Sequence, residues 1–229
     1  FQRFEAWSHA NIAQLFNTIL HGLPVGALLV LEIGDEQPFI WRPIVGAPDQ
    51  GDRITEHLLD GQQRLTALWR GLHNGYDERT YFLSLNEDEE TGFPYGIHHE
   101  ARWRPNDDPD RRKPHWADKP KSQWKRRLVP LDLMAPGEAA LKAFNAWAKE
   151  AIEDPDERDE TKDLVTSIRE KFATFNLPFL SLPVKTPKET ALDVFIKMNT
   201  SAEPLTTYDI VVAQVEAAMG ASLHDLVGG

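Results

Sequence analysis

The chain has no cysteine among its 229 residues. That absence excludes disulfide frameworks, cysteine-ligated zinc sites and thiol nucleophiles. The sequence also lacks an apolar run near the roughly 20 residues that cross a bilayer, and its start shows no signal-peptide pattern. We therefore expect a cytoplasmic protein with no membrane partner.

The chain also has fewer basic residues than acidic ones. The 36 acidic residues outnumber the 25 basic ones, for a formal net charge of −11, which argues against nucleic-acid binding through a general positive field. The charge is unevenly placed, because residues 101–127 hold ten Lys or Arg against four Asp, whereas residues 153–163 hold seven acids against two bases. A local contact with an anionic partner therefore stays open.

The first third of the chain alternates between helical and extended patterns. With 41% hydrophobic residues and seven tryptophans, the chain can bury a substantial core. Ser8 is typical of a helix N-cap, and the apolar period that follows it ends at Gly22. Apolar runs at residues 27–33, 54–59 and 81–85 are typical of strands. This mixture predicts an α/β fold of the α+β kind.

The last part of the chain predicts a helical annex and a return to the sheet. Residues 138–152 and 162–175 have helical periodicity, and we interpret the acidic run at 153–160 between them as a solvated linker. Residues 177–184 contain two prolines and predict an edge strand. A further helix is expected after Thr186, because a proline and a glutamate follow it in the first turn.

The stretch Asp60-Gly61-Gln62-Gln63-Arg64 lies between a predicted strand and a predicted helix. The first N–H groups of a helix have no partner inside it and attract anions, phosphate above all. Gly61 permits a turn with positive φ and a close approach of ligand to backbone. Arg64 offers a fork of donors for phosphate oxygens, and Asp60 can accept from a ribose or hold a divalent cation through water.

A structural interpretation of the same five residues stays open. Asp60 followed three residues later by Gln63 matches an N-cap with a capping glutamine, and Arg64 is then a solvated helix residue. Both roles use the same carboxylate.

The helix after Thr186 ends on a polar residue where an apolar one is expected. Leu192, Phe195 and Ile196 share one face, and the next position on that face is Asn199. Asn199 either caps the helix end or places an amide beside the turn at Asp60.

Residues 87–125 form the least regular part of the sequence, with prolines at positions 94, 105, 109, 114 and 120. Interleaved aromatic and basic side chains suit nucleic acid, since bases stack on aromatic rings while cations meet phosphates. The candidate DNA contacts are Arg102, Trp103, Arg111, Arg112, Trp116 and Trp124. The alternative is a surface excursion whose tryptophans pack back onto the domain.

Within this irregular part, His98-His99-Glu100 invites comparison with a metal site. Adjacent residues do not share a face of a strand or helix, which argues against joint ligation. We interpret these residues as a surface loop.

Three separated pieces of the sequence resemble one known family. They are Phe1-Gln2-Arg3 with Trp7, then Asp60-Gly61-Gln62-Gln63-Arg64, then Phe195-Ile196-Lys197-Met198-Asn199-Thr200 followed by Pro204-Leu205-Thr206. In this order they resemble the N-terminal DGQQR domain of GmrSD-type, modification-dependent restriction systems, which include SspE-like defence proteins. The Gly22-Leu23-Pro24-Val25-Gly26 turn also fits this family.

The resemblance implies a fold similar to ParB and sulfiredoxin and a nucleoside triphosphate, with Mg²⁺ or another divalent cation, bound over the DGQQR turn. Asp60 and Arg64 would be catalytic, with Asp60 also a metal contact through water. The nucleotide-binding residues it implies are Gln2, Arg3, Gly61, Gln62, Gln63 and Asn199. We expect a nucleotide-binding core of residues 1–86 and 176–229, and an insertion of residues 87–175.

The family pattern also includes a nuclease of the HNH type, which needs closely placed histidines and an asparagine. After Met219 the sequence offers only His224, so we expect that module to lie in another segment or subunit. The resemblance thus implies an NTPase regulatory domain of an anti-phage endonuclease. The alternative is a non-catalytic module that binds modified or phosphorothioated DNA.

Overall fold

A computed structural model of the chain describes residues 7–34, 39, 43–44, 46–48, 54–87, 92–102, 114 and 116–199. These ranges contain six α-helices, one short 3-10 helix and two three-stranded sheets. The helices are α1 (His9–Leu20), α2 (Gln62–Leu72), α3 (Pro120–Trp124), α4 (Glu138–Ala151), α5 (Pro155–Ala173) and α6 (Lys188–Asn199). The strands are β1 (Leu28–Glu32), β2 (Glu56–Asp60), β3 (Arg79–Ser84), β4 (Gly96–Ala101), β5 (Leu128–Pro130) and β6 (Phe179–Leu182). The predicted α+β class is confirmed.

The chain forms two compact units. Unit 1 takes its described residues from 26–65 and 177–199, and unit 2 takes them from 7–25 and 66–176. The division expected from the sequence, a core of 1–86 with 176–229 and an insertion of 87–175, stays a prediction.

Unit 1 is a three-stranded sheet with α6 packed on one face. Its strand order is β2-β1-β6, in which β1 runs antiparallel to β2 and parallel to β6. Strand β6 is at an edge, as its two flanking prolines predict. The apolar core of the unit consists of Leu29, Leu31, Ile33, Leu59, Ala191 and Phe195. Each buried leucine or phenylalanine contributes about 1.5–3 kcal/mol, so this core holds the end of β2 in place.

Unit 2 surrounds the antiparallel sheet β4-β3-β5 with helices. Helix α1 has the predicted cap, since the Ser8 hydroxyl accepts a hydrogen bond from the Asn11 N–H at 3.2 Å. Phe16 on α1 is fully buried and meets Phe172 of α5 edge to face, with ring centroids 5.9 Å apart. The core of this unit therefore joins the first helix to the helical annex.

The acidic run 153–160 is not a linker, and that expectation was wrong. Helix α5 begins at Pro155, and the Asp154 carboxylate accepts a hydrogen bond from the Glu157 N–H at 2.9 Å. Acidic side chains favour the first turn of a helix because they offset the positive end of its dipole. The Asp-Pro pair is the usual sequence of such a start.

The expectation of a surface loop at His98-His99-Glu100 was also wrong, because these residues lie in β4. His98 Nε2 lies 2.8 Å from Glu100 Oε1 on one face of the strand. His99 pairs with Tyr81 of β3 on the other face. The described residues contain no group of three or more His, Cys, Asp or Glu that could hold a metal ion. Within the same ranges, no helix combines the length and apolar character of a transmembrane span.

Strand β2 carries a buried histidine that sequence reasoning missed. His57 is 5% exposed and lies opposite Leu31 of β1, on the face that packs against α6. Neither ring nitrogen has a hydrogen-bond partner among the described residues. Burial lowers the pKa of His57 below its ordinary 6.5 because the charged form is poorly solvated there.

Acidification is therefore expected to destabilise the fold through His57. The unfolded chain binds a proton at this residue more readily than the folded chain, so the free energy of unfolding falls as pH drops through 6.5 and towards the lower folded pKa. When the pH falls from about 7.5 to about 5.5, the free energy of unfolding of His57→Leu should decrease by about 1 kcal/mol less than that of the wild type. Urea titrations at the two pH values measure the difference.

The exposed His73 provides the matched control for this comparison. His73→Leu replaces an exposed imidazole by the same leucine, so a change in pH dependence seen with His57→Leu but not with His73→Leu is due to the buried position. If the free energy of unfolding decreases equally in the wild type and in His57→Leu, His57 is not the source of the pH dependence.

Candidate anion-binding turn

The candidate site is built where β2 passes into α2. Strand β2 ends at Asp60, Gly61 follows with φ of +94°, and the helix begins at Gln62. The Leu65 N–H donates to the Gly61 carbonyl at 3.1 Å, which makes Gly61 the N-cap residue. The strand, glycine turn and helix start expected from the sequence are therefore present.

An ion pair spans this turn. Arg64 Nη2 donates to Asp60 Oδ2 at 2.9 Å, and the two side chains are 15% and 23% exposed. Low exposure limits screening by water and salt, so this pair holds its geometry more firmly than a surface pair does. The pair fixes the Arg64 guanidinium at the first turn of α2.

The geometry does not support the capping interpretation of Asp60. A capping box would require Asp60 at the N-cap and Gln63 three residues later. Gly61 occupies the N-cap, and Asp60 directs its carboxylate to Arg64 instead.

Two glycines with positive φ lie against the Arg64 guanidinium. A Cβ added to Gly61 would overlap Leu28 Cδ2 and lie 3.1 Å from Arg64 Nη2. A Cβ added to Gly26, whose φ is +81°, would lie 2.8 Å from Arg64 Nη1. The guanidinium thus occupies a space that side chains at either position would fill.

Gln62 and Gln63 lie in the first turn of α2 and are partly exposed. Their backbone N–H groups point out of the start of the helix, where the dipole is positive and a phosphate is favoured. Asn199 is the last residue of α6. The remaining predicted nucleotide contacts, Gln2 and Arg3, lie outside the described residues.

The described candidate DNA contacts, Arg102, Trp116 and Trp124, belong to unit 2 and are engaged within the chain. Trp124 is 8% exposed, and its indole N–H donates to Glu157 Oε2 at 3.3 Å. Arg126 covers the ring of Trp116 at 4.5 Å. Arg102 donates to the Asn74 side chain. Trp124 thus packs back onto its domain, the alternative left open by the sequence, and a DNA role for this segment stays a prediction.

Trp103, Arg111 and Arg112 lie outside the described residues. Their role in binding DNA stays a prediction as well.

The chemistry of the turn suits a polyphosphate better than a bare metal ion. Gly61 and the start of α2 favour an anion. The charge of Asp60, by contrast, is already balanced by Arg64 at 2.9 Å. Mg²⁺ commonly keeps several waters and binds through one or two carboxylates plus the phosphates of the substrate. These residue types are compatible with an anion that brings its own divalent ion, and both the nucleotide and the ion stay predictions.

These features define an α+β protein whose glycine-led helix start carries an arginine–carboxylate pair. The family described as GmrSD restriction endonuclease, N-terminal domain, matches residues 1–216. The chain belongs to this family. The resemblance drawn from the three sequence pieces is confirmed.

The chain is also similar to an uncharacterized protein of Methanocaldococcus jannaschii, with 25% identity over 236 residues. The alignment covers 93% of this chain but 38% of the relative. The chain thus spans well under half the length of that curated protein.

Sequence reasoning identified the residues from Asp60 to Arg64 but gave Gly26 no role in the site. The available signal was a glycine next to the strand that starts at Leu28, within the Gly22 to Gly26 turn. A glycine at a strand start often marks a close approach of another group. Nothing in the sequence specified that this group is Arg64.

Proposed function

We propose that this chain is the nucleoside-triphosphate-binding regulatory domain of a modification-dependent restriction endonuclease, and that it hydrolyses the nucleotide. The observation that carries the proposal is the half-buried Asp60–Arg64 pair, which holds a guanidinium beside Gly61 at the start of α2. A guanidinium has five N–H donors, so an arginine can hold a carboxylate and a phosphate at once.

Each residue of the turn has a distinct role in this proposal. The backbone at Gly61 and Gln62 meets phosphate oxygens, with the Gln63 side chain beside them. Arg64 stabilises the charge that develops on the transferred phosphoryl group, and Asp60 orients the attacking water. Asp60 would hold a divalent cation through water, and that ion, when bound, would neutralise phosphate charge.

The regulatory half of the proposal concerns a partner nuclease. Family membership supports a DNA-acting system, and an HNH domain or subunit would cut DNA that carries a modification. Control of such a partner requires that the domain have two conformations and that they differ in nucleotide affinity.

Calorimetric titration with each nucleoside triphosphate and Mg²⁺ tests the proposal. Arg64→Ala should weaken binding by about 10- to 100-fold, because charge-assisted hydrogen bonds contribute roughly 1.5–3 kcal/mol. Arg126→Ala, at an exposed arginine of unit 2, is the matched control and should bind as the wild type does.

Equal affinity in wild type and Arg64→Ala would contradict the proposed phosphate site. If the folded wild type binds no nucleoside triphosphate, the alternative of a module that reads modified DNA gains support. That module should lose DNA affinity steeply as salt rises, because each phosphate contact releases counterions.

A further inference from the structure

Gly26 lies against the arginine of the candidate site although the two residues are far apart in sequence. It sits just before β1 in a conformation with φ of +81°, which side-chain-bearing residues rarely adopt. A Cβ there would lie 2.8 Å from Arg64 Nη1, whereas ordinary contact begins at 3.4 Å. No other heavy atom near that Cβ comes as close among the described residues.

The two terminal nitrogens of Arg64 face different neighbours. Nη2 lies beside Gly61 and donates to Asp60, and Nη1 faces Gly26. A guanidinium is planar and rigid, so displacing Nη1 also moves Nη2 and tilts the plane. A side chain at position 26 would therefore enter the space that Nη1 occupies while Asp60 holds Nη2.

We propose that Gly26 is a positioning residue for Arg64, and that its lack of a side chain sets the affinity of the turn for phosphate. The part that concerns affinity rests on the proposed function. The part that concerns the position of Arg64 rests only on the packing of unit 1.

A side chain at position 26 is expected to displace Arg64 rather than the backbone at Gly26. The atom that meets the added Cβ is the end of a long side chain, whereas Gly26 is tied to the backbone leading into β1. Arg64 must therefore withdraw by about 0.6 Å to restore ordinary contact. Such a withdrawal shifts the guanidinium and changes the geometry of its 2.9 Å bond to Asp60. Functional groups need their productive geometry to within about 0.5 Å.

Gly26→Ala tests the inference, with Gly22→Ala as the matched control. Gly22 also has positive φ, at +69°, but an added Cβ there meets nothing within 4 Å. The control thus carries the backbone strain of an alanine without contact to Arg64. Calorimetry should show that Gly26→Ala weakens binding of nucleoside triphosphate with Mg²⁺ by about tenfold, and that Gly22→Ala leaves it nearly unchanged.

A second measurement does not depend on the nucleotide. Urea unfolding of both glycine variants, each also combined with Arg64→Ala, gives a double-mutant cycle. Gly26→Ala should lower stability more when Arg64 is present than when it is absent, whereas Gly22→Ala should cost the same in both backgrounds. If Gly26→Ala alone fails to fold, the combined variant with Arg64→Ala should recover the folded state.

The outcomes separate this inference from the proposed function. Absence of coupling between positions 26 and 64 in the unfolding cycle overturns the positioning role, whether or not the wild type binds nucleotide. If positions 26 and 64 are coupled but Gly26→Ala and Gly22→Ala bind the nucleotide equally well, Gly26 does not set the affinity of the turn for phosphate. A folded wild type that binds no nucleoside triphosphate refutes the proposed function, and the unfolding cycle still decides the role of Gly26.

Discussion

Replacing Asp60 by asparagine is expected to lower the rate of nucleotide hydrolysis by about 100-fold while nucleotide affinity changes little. The amide has the size of the carboxylate. Its oxygen can still accept the hydrogen bond from Arg64 Nη2, which is 2.9 Å long in the wild type. Arg64 therefore keeps its place, and under the proposed function the variant still binds the nucleotide. The amide has no negative charge with which to orient the attacking water or a metal-bound water, so the chemical step suffers.

The measurements are steady-state phosphate release and calorimetric affinity on the same preparations. Asp159→Asn is a suitable control, because Asp159 is an exposed acid that pairs with Lys162 in α5. A parallel loss of rate and affinity would show that Asp60 acts by positioning Arg64. An unchanged rate would exclude Asp60 from the chemical step.

Gly61→Ala is expected to destabilise the folded chain by roughly 2–4 kcal/mol and to remove nucleotide binding. Two costs combine at this residue. Its φ of +94° lies in the left-handed region, and the added methyl group would overlap Leu28, which is 7% exposed in the start of β1. Relief of that overlap must move either the strand or the turn that carries Asp60 and Arg64.

Chemical denaturation measures the stability difference, and Gly137→Ala separates its two causes. Gly137 has φ of +99°, close to that of Gly61, but an added Cβ there meets nothing within 4 Å. Its alanine variant should therefore show the cost of backbone strain alone, about 1–3 kcal/mol. If both variants lose the same stability, contact with Leu28 contributes nothing and the crowding argument fails.

Local sequence signals predicted several elements correctly because short-range chemistry decides them. Ser8 caps α1, and the buried positions of that helix, among them Ile12, Phe16 and Ile19, follow the apolar period of the sequence. The helix expected after Thr186 begins at Lys188. In each case the cap and the spacing of apolar residues lie within a few turns of the chain.

The failures came where two local interpretations competed. The acidic run before Glu160 has the composition of a solvated linker, but Asp154 and Pro155 make it a helix start. His98 and His99 lack the apolar alternation of a strand, yet they lie in β4, where they pair with Phe82 and Tyr81 of β3. Hydrogen bonding to a neighbouring strand outweighs weak local propensity.

The sequence by itself determined the strand, glycine and helix start from β2 to α2, and it placed Asp60 and Arg64 at that helix start as candidate site residues. These follow from residues that are adjacent in the chain, so helix-start chemistry and turn conformation are sufficient to predict them. Only the tertiary structure decided that Asp60 binds Arg64 rather than capping α2, and that Gly26 lies against the same guanidinium. Those contacts depend on how β1 and β2 pair and pack. A glycine has no side chain, so the sequence pattern around Gly26 could not predict its contact with a residue as distant as Arg64.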